Sequence, residues 1–237
     1  MKITFLGHAT ILLEMNGKKI LFDPFISGNP LASEVDIQGL KVDYIFVTHG
    51  HEDHVLDVET IAKNNPDSLL VSNFEIVTWF GEKNIKGHPM NHGGKYKFDF
   101  GTVKYVNAIH SSVLPDGTYG GNPGGYVIYD ESNAVYIAGD TALTRDMELI
   151  PMSCPTLDVS ILPIGDNFTI GHEDAFIASE LINCKKVIGY HFDTFPPIKI
   201  DKAEALEYFN KKEKELIIPT VGESFTIGKN FHEHEED

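Results

Sequence analysis

Cysteine is scarce: the 237 residues hold two, Cys154 and Cys184, far apart and in no C-x-x-C pair. So few thiols imply no disulfide framework, and the simpler reading is a reducing compartment and a cytoplasmic protein. Basic residues are short as well, 19 Lys and Arg against 35 Asp and Glu, for a formal net charge of −16. That excess repels phosphate backbones at long range, so nucleic acid is not an expected partner. The N-terminal MKITFLGHATILLEMNGKKILFD lacks a long apolar run and a small-residue cleavage site, and it alternates like strands. Neither a signal peptide nor a membrane span is expected. With 42% hydrophobic residues the chain can still bury a sizeable core, as one domain over residues 1–228 or two intimately packed halves of it. Residues 229–237, closing in FHEHEED, read as a solvated, disordered acidic tail, with His232 and His234 hanging free.

What is present is a succession of short apolar runs. ILLEMNGKKILF contains Asn16-Gly17, a type I′ hairpin signal between two strand-like runs. DYIFVTH (Asp43–His49) is continuously apolar at its centre, as a strand covered on both faces would be. Helices are expected near Val55–Asn64, Phe74–Lys83, Arg145–Ile150, His172–Asn183 and Lys202–Lys212. Strands are expected near Lys95–Phe100 and Val103–Ala108, and at GYVIYD, AVYIAGD, DVSILPIG, KVIGYH, ELIIP and ESFTI. HSSVLPDGTYGGNPGG (His110–Gly125) is the longest irregular segment, and long loops inside compact domains are often functional. The pattern is α/β, with helices outside two sheets and no clear sequence repeat.

The densest chemistry lies in VTHGHEDH (Val47–His54), where three histidines and two carboxylates follow an apolar strand. Imidazole and carboxylate are good ligands for zinc, manganese and iron. His49 and His51, two apart, can reach one ion, while Asp53 and His54, on the next turn, can reach its neighbour. Four donors do not fill two coordination shells, so further ligands are expected at other strand ends. His110 ends VKYVNAIH, Asp140 ends AVYIAGD and His191 ends KVIGYH, at the strand edge where open α/β sheets place their sites. His8 in GHAT is a candidate substrate or supporting contact. His172 opens a helix whose backbone N–H groups can hold an anion, and Asn122 lies in a Gly-rich loop able to approach a phosphate or lactone. Thr48 and Thr141 are expected to hydrogen-bond neighbouring ligands, while His88 and His92, in GHPMNHGG, read as structural residues of a polar turn.

His49-Gly50-His51-Glu52-Asp53-His54 is a complete H-x-H-x-D-H. With His110, Asp140 in AGDT, and His191, it resembles the metallo-β-lactamase superfamily over essentially residues 1–228. FLGHAT (Phe5–Thr10), DPF (Asp23–Phe25) and PIGDNFTIGHEDA (Pro163–Ala175) are similar to a narrower branch of metal-dependent hydrolases. That branch is related to ascorbate-phosphate lactonases and to N-acylphosphatidylethanolamine-hydrolysing phospholipases; His172 departs from many of its members. The resemblance implies a four-layer αββα sandwich of two mixed sheets with a dinuclear site at one edge. It assigns His49, His51 and His110 to one ion, Asp53, His54 and His191 to a second, and Asp140 as a bridge. It implies zinc, with manganese, iron or nickel as alternatives, and a metal-activated hydroxide that cleaves an ester, lactone or phosphodiester. Asp53 is expected to orient that hydroxide or take its proton, and His8, His172 and Asn122 to meet a small-molecule or phosphoester substrate. The alternatives are an RNA- or DNA-processing metallonuclease, disfavoured by the acidic balance, and a non-catalytic metal-binding protein. A homo-oligomer is left open.

Overall fold

Asn16 and Gly17 both take positive φ, 49° and 76°, as a type I′ turn requires, and they close the expected hairpin. A computed structural model describes residues 1–228; the acidic tail over 229–237 lies outside the described residues. The first half carries β1 (Lys2–Phe5), β2 (Ile11–Met15), β3 (Lys18–Phe22), β4 (Tyr44–Phe46), β5 (Leu69–Asn73) and β6 (Gly87–Met90). Its helices are α1 (Glu52–Val55), α2 (Val58–Asn64) and α3 (Phe74–Gly81). The second half carries β7 (Lys95–Lys97), β8 (Thr102–Asn107), β9 (Gly124–Tyr129), β10 (Ala134–Ile137), β11 (Val159–Pro163), β12 (Lys186–Tyr190) and β13 (Glu215–Ile217). Helices α4 (Leu149–Ser153), α5 (His172–Leu181) and α6 (Lys202–Asn210) accompany it, and β14 (Ser224–Thr226) returns to pair with β1.

Two mixed seven-stranded sheets result, ordered β14-β1-β2-β3-β4-β5-β6 and β13-β12-β11-β10-β9-β8-β7. Each sheet runs through three antiparallel pairings and then three parallel ones. The two halves thus share a topology that no sequence repeat announces. The inner faces meet in a core where Phe46, Phe22 and Tyr126 pack ring against ring at 5.0–6.1 Å. Alternate residues, Ile45 and Leu70 among them, face a second cluster beneath α2 and α3. β4 is therefore buried on both faces, which is why its run is apolar without alternation.

Three local expectations change. The single helix over Val55–Asn64 is two, because Asp57 turns inward and accepts the Ile26 and Ser27 amides at 2.6 and 2.9 Å. GHPM is not a turn but the edge strand β6, where Pro89 costs no ladder bond on the open side. Over Arg145–Ile150 a 3-10 turn, Arg145–Glu148, precedes the helix α4. Strand β5 carried no expectation. Parallel pairing brings the C-terminal ends of β3, β4 and β5 to one edge, opposite those of β10, β11 and β12. Phenols of the second sheet tie that edge to the first: Tyr126 donates to the Val47 carbonyl at 2.7 Å and Tyr105 to that of Thr48 at 3.3 Å.

Candidate metal centre

Beyond Phe46 the chain leaves β4 and turns into the short helix α1, so His49 and His51 lie before the helix and Asp53 and His54 within it. His51 occupies the N-cap position without capping through its side chain; its Nδ1 instead lies 3.0 Å from His49 Nε2. The ends of β8, β10 and β12 bring in His110, Asp140 and His191. Ligand atoms of His49, His51 and His110 lie within 4.8 Å of one another, as do those of His8, Asp53, His54 and His191, and those of His49, His54 and Asp140. Asp140 Oδ2 stands between the groups, 3.0 Å from His191 Nε2, 3.4 Å from His54 Nε2, 3.6 Å from His110 Nε2 and 3.9 Å from His49 Nε2. All seven sequence-expected ligands meet in this one place.

The supporting bonds decide which nitrogen each ring presents. Asp23, fully buried at the end of β3, accepts the Thr48 amide at 2.8 Å, the Thr48 hydroxyl at 2.7 Å and His54 Nδ1 at 2.9 Å. With its proton given to Asp23, the Thr48 hydroxyl accepts from His49 Nδ1 at 3.0 Å. Both rings therefore carry hydrogen on Nδ1 and turn Nε2 to the centre. Ser111 Oγ lies 3.2 Å from His51 Nε2, which leaves Nδ1 as the inward atom of that ring. His8, Asp23 and His191 hold positive φ of 54°, 43° and 56°, a costly conformation for a non-glycine residue and one that clusters at functional sites. At Gly139 (φ +68°) a Cβ would stand 2.8 Å from Thr48 Cβ and 3.0 Å from the Gly124 carbonyl, so only glycine lets the Asp140 loop approach β4.

Asp23 was not among the expected site residues, although it ends a strand as the other donors do, in KKILFD. His8 is 1% exposed, with Nδ1 at Thr194 Oγ1 and Nε2 at Asp53 Oδ2, both 2.9 Å away. Both ring atoms are committed, so the contact the ring makes is with Asp53, and no polar atom is left for a substrate. Thr48 bonds a ligand; Thr141 does not, accepting instead from the Ile109 amide at 3.1 Å and linking the His110 and Asp140 loops. Asn122 is exposed, its side chain accepting from the Tyr119 hydroxyl at 2.7 Å. His172 begins α5 beside a cavity of about 430 Å³ that no ligand residue lines, its Nε2 buried without a partner. Glu173 and Asp174 already place negative charge in that first helical turn, which weakens the case for an anion there. His92 Nε2 donates to the Pro123 carbonyl, 2.8 Å away, and His88 packs on Tyr96.

The donor set fits divalent metal. His54 Nε2, both nitrogens of His191 and Asp140 Oδ1 are buried with no hydrogen-bond partner among the described residues, and desolvation without compensation is costly. A cation among them supplies the missing partner. The charges point the same way. Burial alone would lower His54, but Asp140, Asp53 and Asp23 outweigh it and raise it well above its ordinary value. Against a similar burial cost, Asp140 and Asp53 raise His191 to about 9. Burial, with His54 beside it, pushes His49 well down. Burial and His191 lower His8 to about 4. Asp140 and Asp53 stay ionised despite burial, held far below the usual carboxylate range by surrounding histidines. Protons on His54 and His191 thus balance the carboxylates until metal displaces them. His51, His110 and Asp53 form the part-exposed side of the cluster.

The family description "Beta-lactamase superfamily domain" matches residues 2–191. A metal-dependent hydrolase of Flavobacterium johnsoniae is 59% identical over 227 residues, covering 96% of this chain and all of that protein. A metallo hydrolase from the archaeon Ignicoccus hospitalis has the same fold with a TM-score of 0.84 and 32% identity, over 95% of this chain and 98% of its own. A metallo-beta-lactamase fold protein of Bacillus subtilis aligns with a TM-score of 0.71 at 16% identity, over 94% of this chain and 98% of its own.

Proposed function

This chain belongs to the β-lactamase superfamily as a metal-dependent hydrolase, and on that premise we propose that its two ligand groups hold two ions in one catalytic centre. His49, His51 and His110 take one ion, Asp53, His54 and His191 the other, and Asp140 lies between them. A set of five imidazoles and two carboxylates suits zinc, with manganese, iron and nickel as alternatives. Divalent ions held there supply Lewis acidity toward water and toward a substrate oxygen.

The chain's own residues do the rest. Asp23 and Thr48 orient His54 and His49, and His8 fixes Asp53. Asp53 is a ligand carboxylate whose side chain is part-exposed, so it is placed to orient a water molecule or accept its proton. The substrate is an ester, lactone or phosphodiester, cleaved within one domain over residues 1–228. The observation that carries the reading is the convergence of seven donors around buried, unpartnered ring nitrogens.

The test is elemental analysis of protein purified without chelator, followed by assays of depleted and reloaded protein on p-nitrophenyl esters, lactones and bis-p-nitrophenyl phosphate. Two equivalents of metal and activity that returns on reloading are expected. Asp140→Asn should lose most activity while the fold survives. Full turnover by depleted protein would refute the assignment.

A further inference from the structure

We infer that Thr194 is a positioning residue for the ion held by Asp53, His54 and His191: its hydroxyl donates to His8 Nδ1 and so obliges the opposite ring nitrogen to hold Asp53. The inference rests on the two-ion reading above and deepens it, by naming a residue on which one ion depends and the other does not.

His8 meets that ligand group at three points. Its Nε2 lies 2.9 Å from Asp53 Oδ2, its carbonyl accepts the His191 amide at 2.7 Å, and its ring packs on that of His191 with centroids 4.1 Å apart. The positive φ of 54° at His8, costly for a residue with a Cβ, accompanies these contacts. Among the described residues no hydrogen bond joins His8 to His49, His51 or His110. The brace therefore serves one ligand group alone.

Counting hydrogens fixes the direction of each bond. Asp53 is an ionised carboxylate with no hydrogen to give, so Nε2–H donates and Oδ2 accepts, keeping a lone pair for a cation. The ring is 1% exposed and lies beside a cation site, and both oppose a second hydrogen on it. Nδ1 therefore accepts, and the group that faces it is the Thr194 hydroxyl, 2.9 Å away. The other acceptor within reach of that hydroxyl, the Phe192 carbonyl, is farther, at 3.4 Å. Without the hydroxyl, Nδ1 is a buried acceptor with no donor, and nothing opposes the tautomer that carries hydrogen on Nδ1. That tautomer turns a lone pair toward Asp53 in place of a hydrogen.

The loop after β12 holds Thr194 at this spot. Asp193, at φ +63°, donates its amide to the Ile198 carbonyl at 2.8 Å. Its carboxylate accepts the Ile200 amide and Lys202 Nζ, each at 3.1 Å. The 3-10 turn Pro196–Ile198, with two prolines, stiffens the same loop. Thr194 thus sits on a closed loop that begins at the ligand His191.

The test is zinc titration of metal-free protein in competition with a chromophoric chelator, which yields two stepwise affinities in the parent chain. Thr194→Val removes the hydroxyl at almost constant volume. One affinity should fall about 10–100-fold, while the other stays within about threefold. Thr194→Ser keeps the hydroxyl and should restore both values. His110→Ala leaves one complete ligand group, the one His8 braces, and adding Thr194→Val to it should weaken the remaining ion by the same factor. Two unchanged affinities, equal falls in both, or a serine variant as weak as the valine one overturns the inference and leaves the two-ion reading intact. A parent chain that binds fewer than two zinc ions overturns that reading, and this one with it.

Discussion

Replacing Asp23 by Asn removes a charge but almost no volume, so it isolates what this buried carboxylate does. Oδ2 accepts from the Thr48 hydroxyl and from His54 Nδ1, and Oδ1 from the Thr48 amide. Asparagine has one acceptor oxygen. Set against the first two donors, that oxygen leaves the amide nitrogen facing the Thr48 N–H; the flipped rotamer leaves it facing two donors. Either way one buried N–H loses its partner, at about 1–3 kcal/mol, and a charge-assisted bond to His54 worth about 1.5–3 kcal/mol becomes an ordinary one. The variant should lose about 2–4 kcal/mol in urea denaturation of metal-free protein. Once Nδ1–H is no longer favoured, His54 also loses its bias toward presenting Nε2 to the ion, and metal affinity should fall about 10–100-fold in competition with a chromophoric chelator. If stability stays within about 0.5 kcal/mol of the parent and chelator competition is unchanged, the claim that Asp23 governs His54 is wrong.

Metal affinity should rise with pH between 6 and 9, because His191, raised to about 9, and His54, raised well above its ordinary value, must give up protons to the ion. Calorimetry in buffers of different ionisation heat counts the protons released, and a falling affinity would contradict the charge balance. For metal-free protein the sign reverses: a raised histidine contributes stability below its unfolded value, and His191's share is lost as pH climbs from about 6.5 through the folded value of about 9. Urea titrations across that window check this, and constant stability would count against it. Gly139→Ala places a methyl group 2.8 Å from Thr48 Cβ at positive φ; it should cost about 2 kcal/mol or more and weaken metal binding. Tyr126→Phe deletes the 2.7 Å bond to the Val47 carbonyl, which keeps Ser72 Oγ at 2.8 Å, and should cost about 0.5–1.5 kcal/mol, read by thermal unfolding.

Most of the secondary structure was legible because its causes are local. Asn16-Gly17 dictated a turn, the apolar run before Thr48 dictated a covered strand, and α5 and α6 followed their periodicity to within two residues. Where the local reading failed, a distant partner was responsible. Asp57 divides a helix because the amides it satisfies belong to Ile26 and Ser27. Pro89 sits in a strand because the sheet order leaves that strand at an edge. The repeated pairing pattern of the two sheets exists only once β14 has come back to β1.

The same division holds at the metal centre. Residue type and position at strand ends determined, from the sequence alone, which seven side chains to examine, because ligand chemistry is a property of the side chain and strand ends are local features. Only the folded chain decided which nitrogen each imidazole presents, that Asp23 governs His54 and Thr48, and that His8 is spent on Asp53. Those are relations between atoms up to 186 positions apart in sequence, as His8 and Thr194 are, and hydrogen-bond direction and local field exist only after such atoms have met.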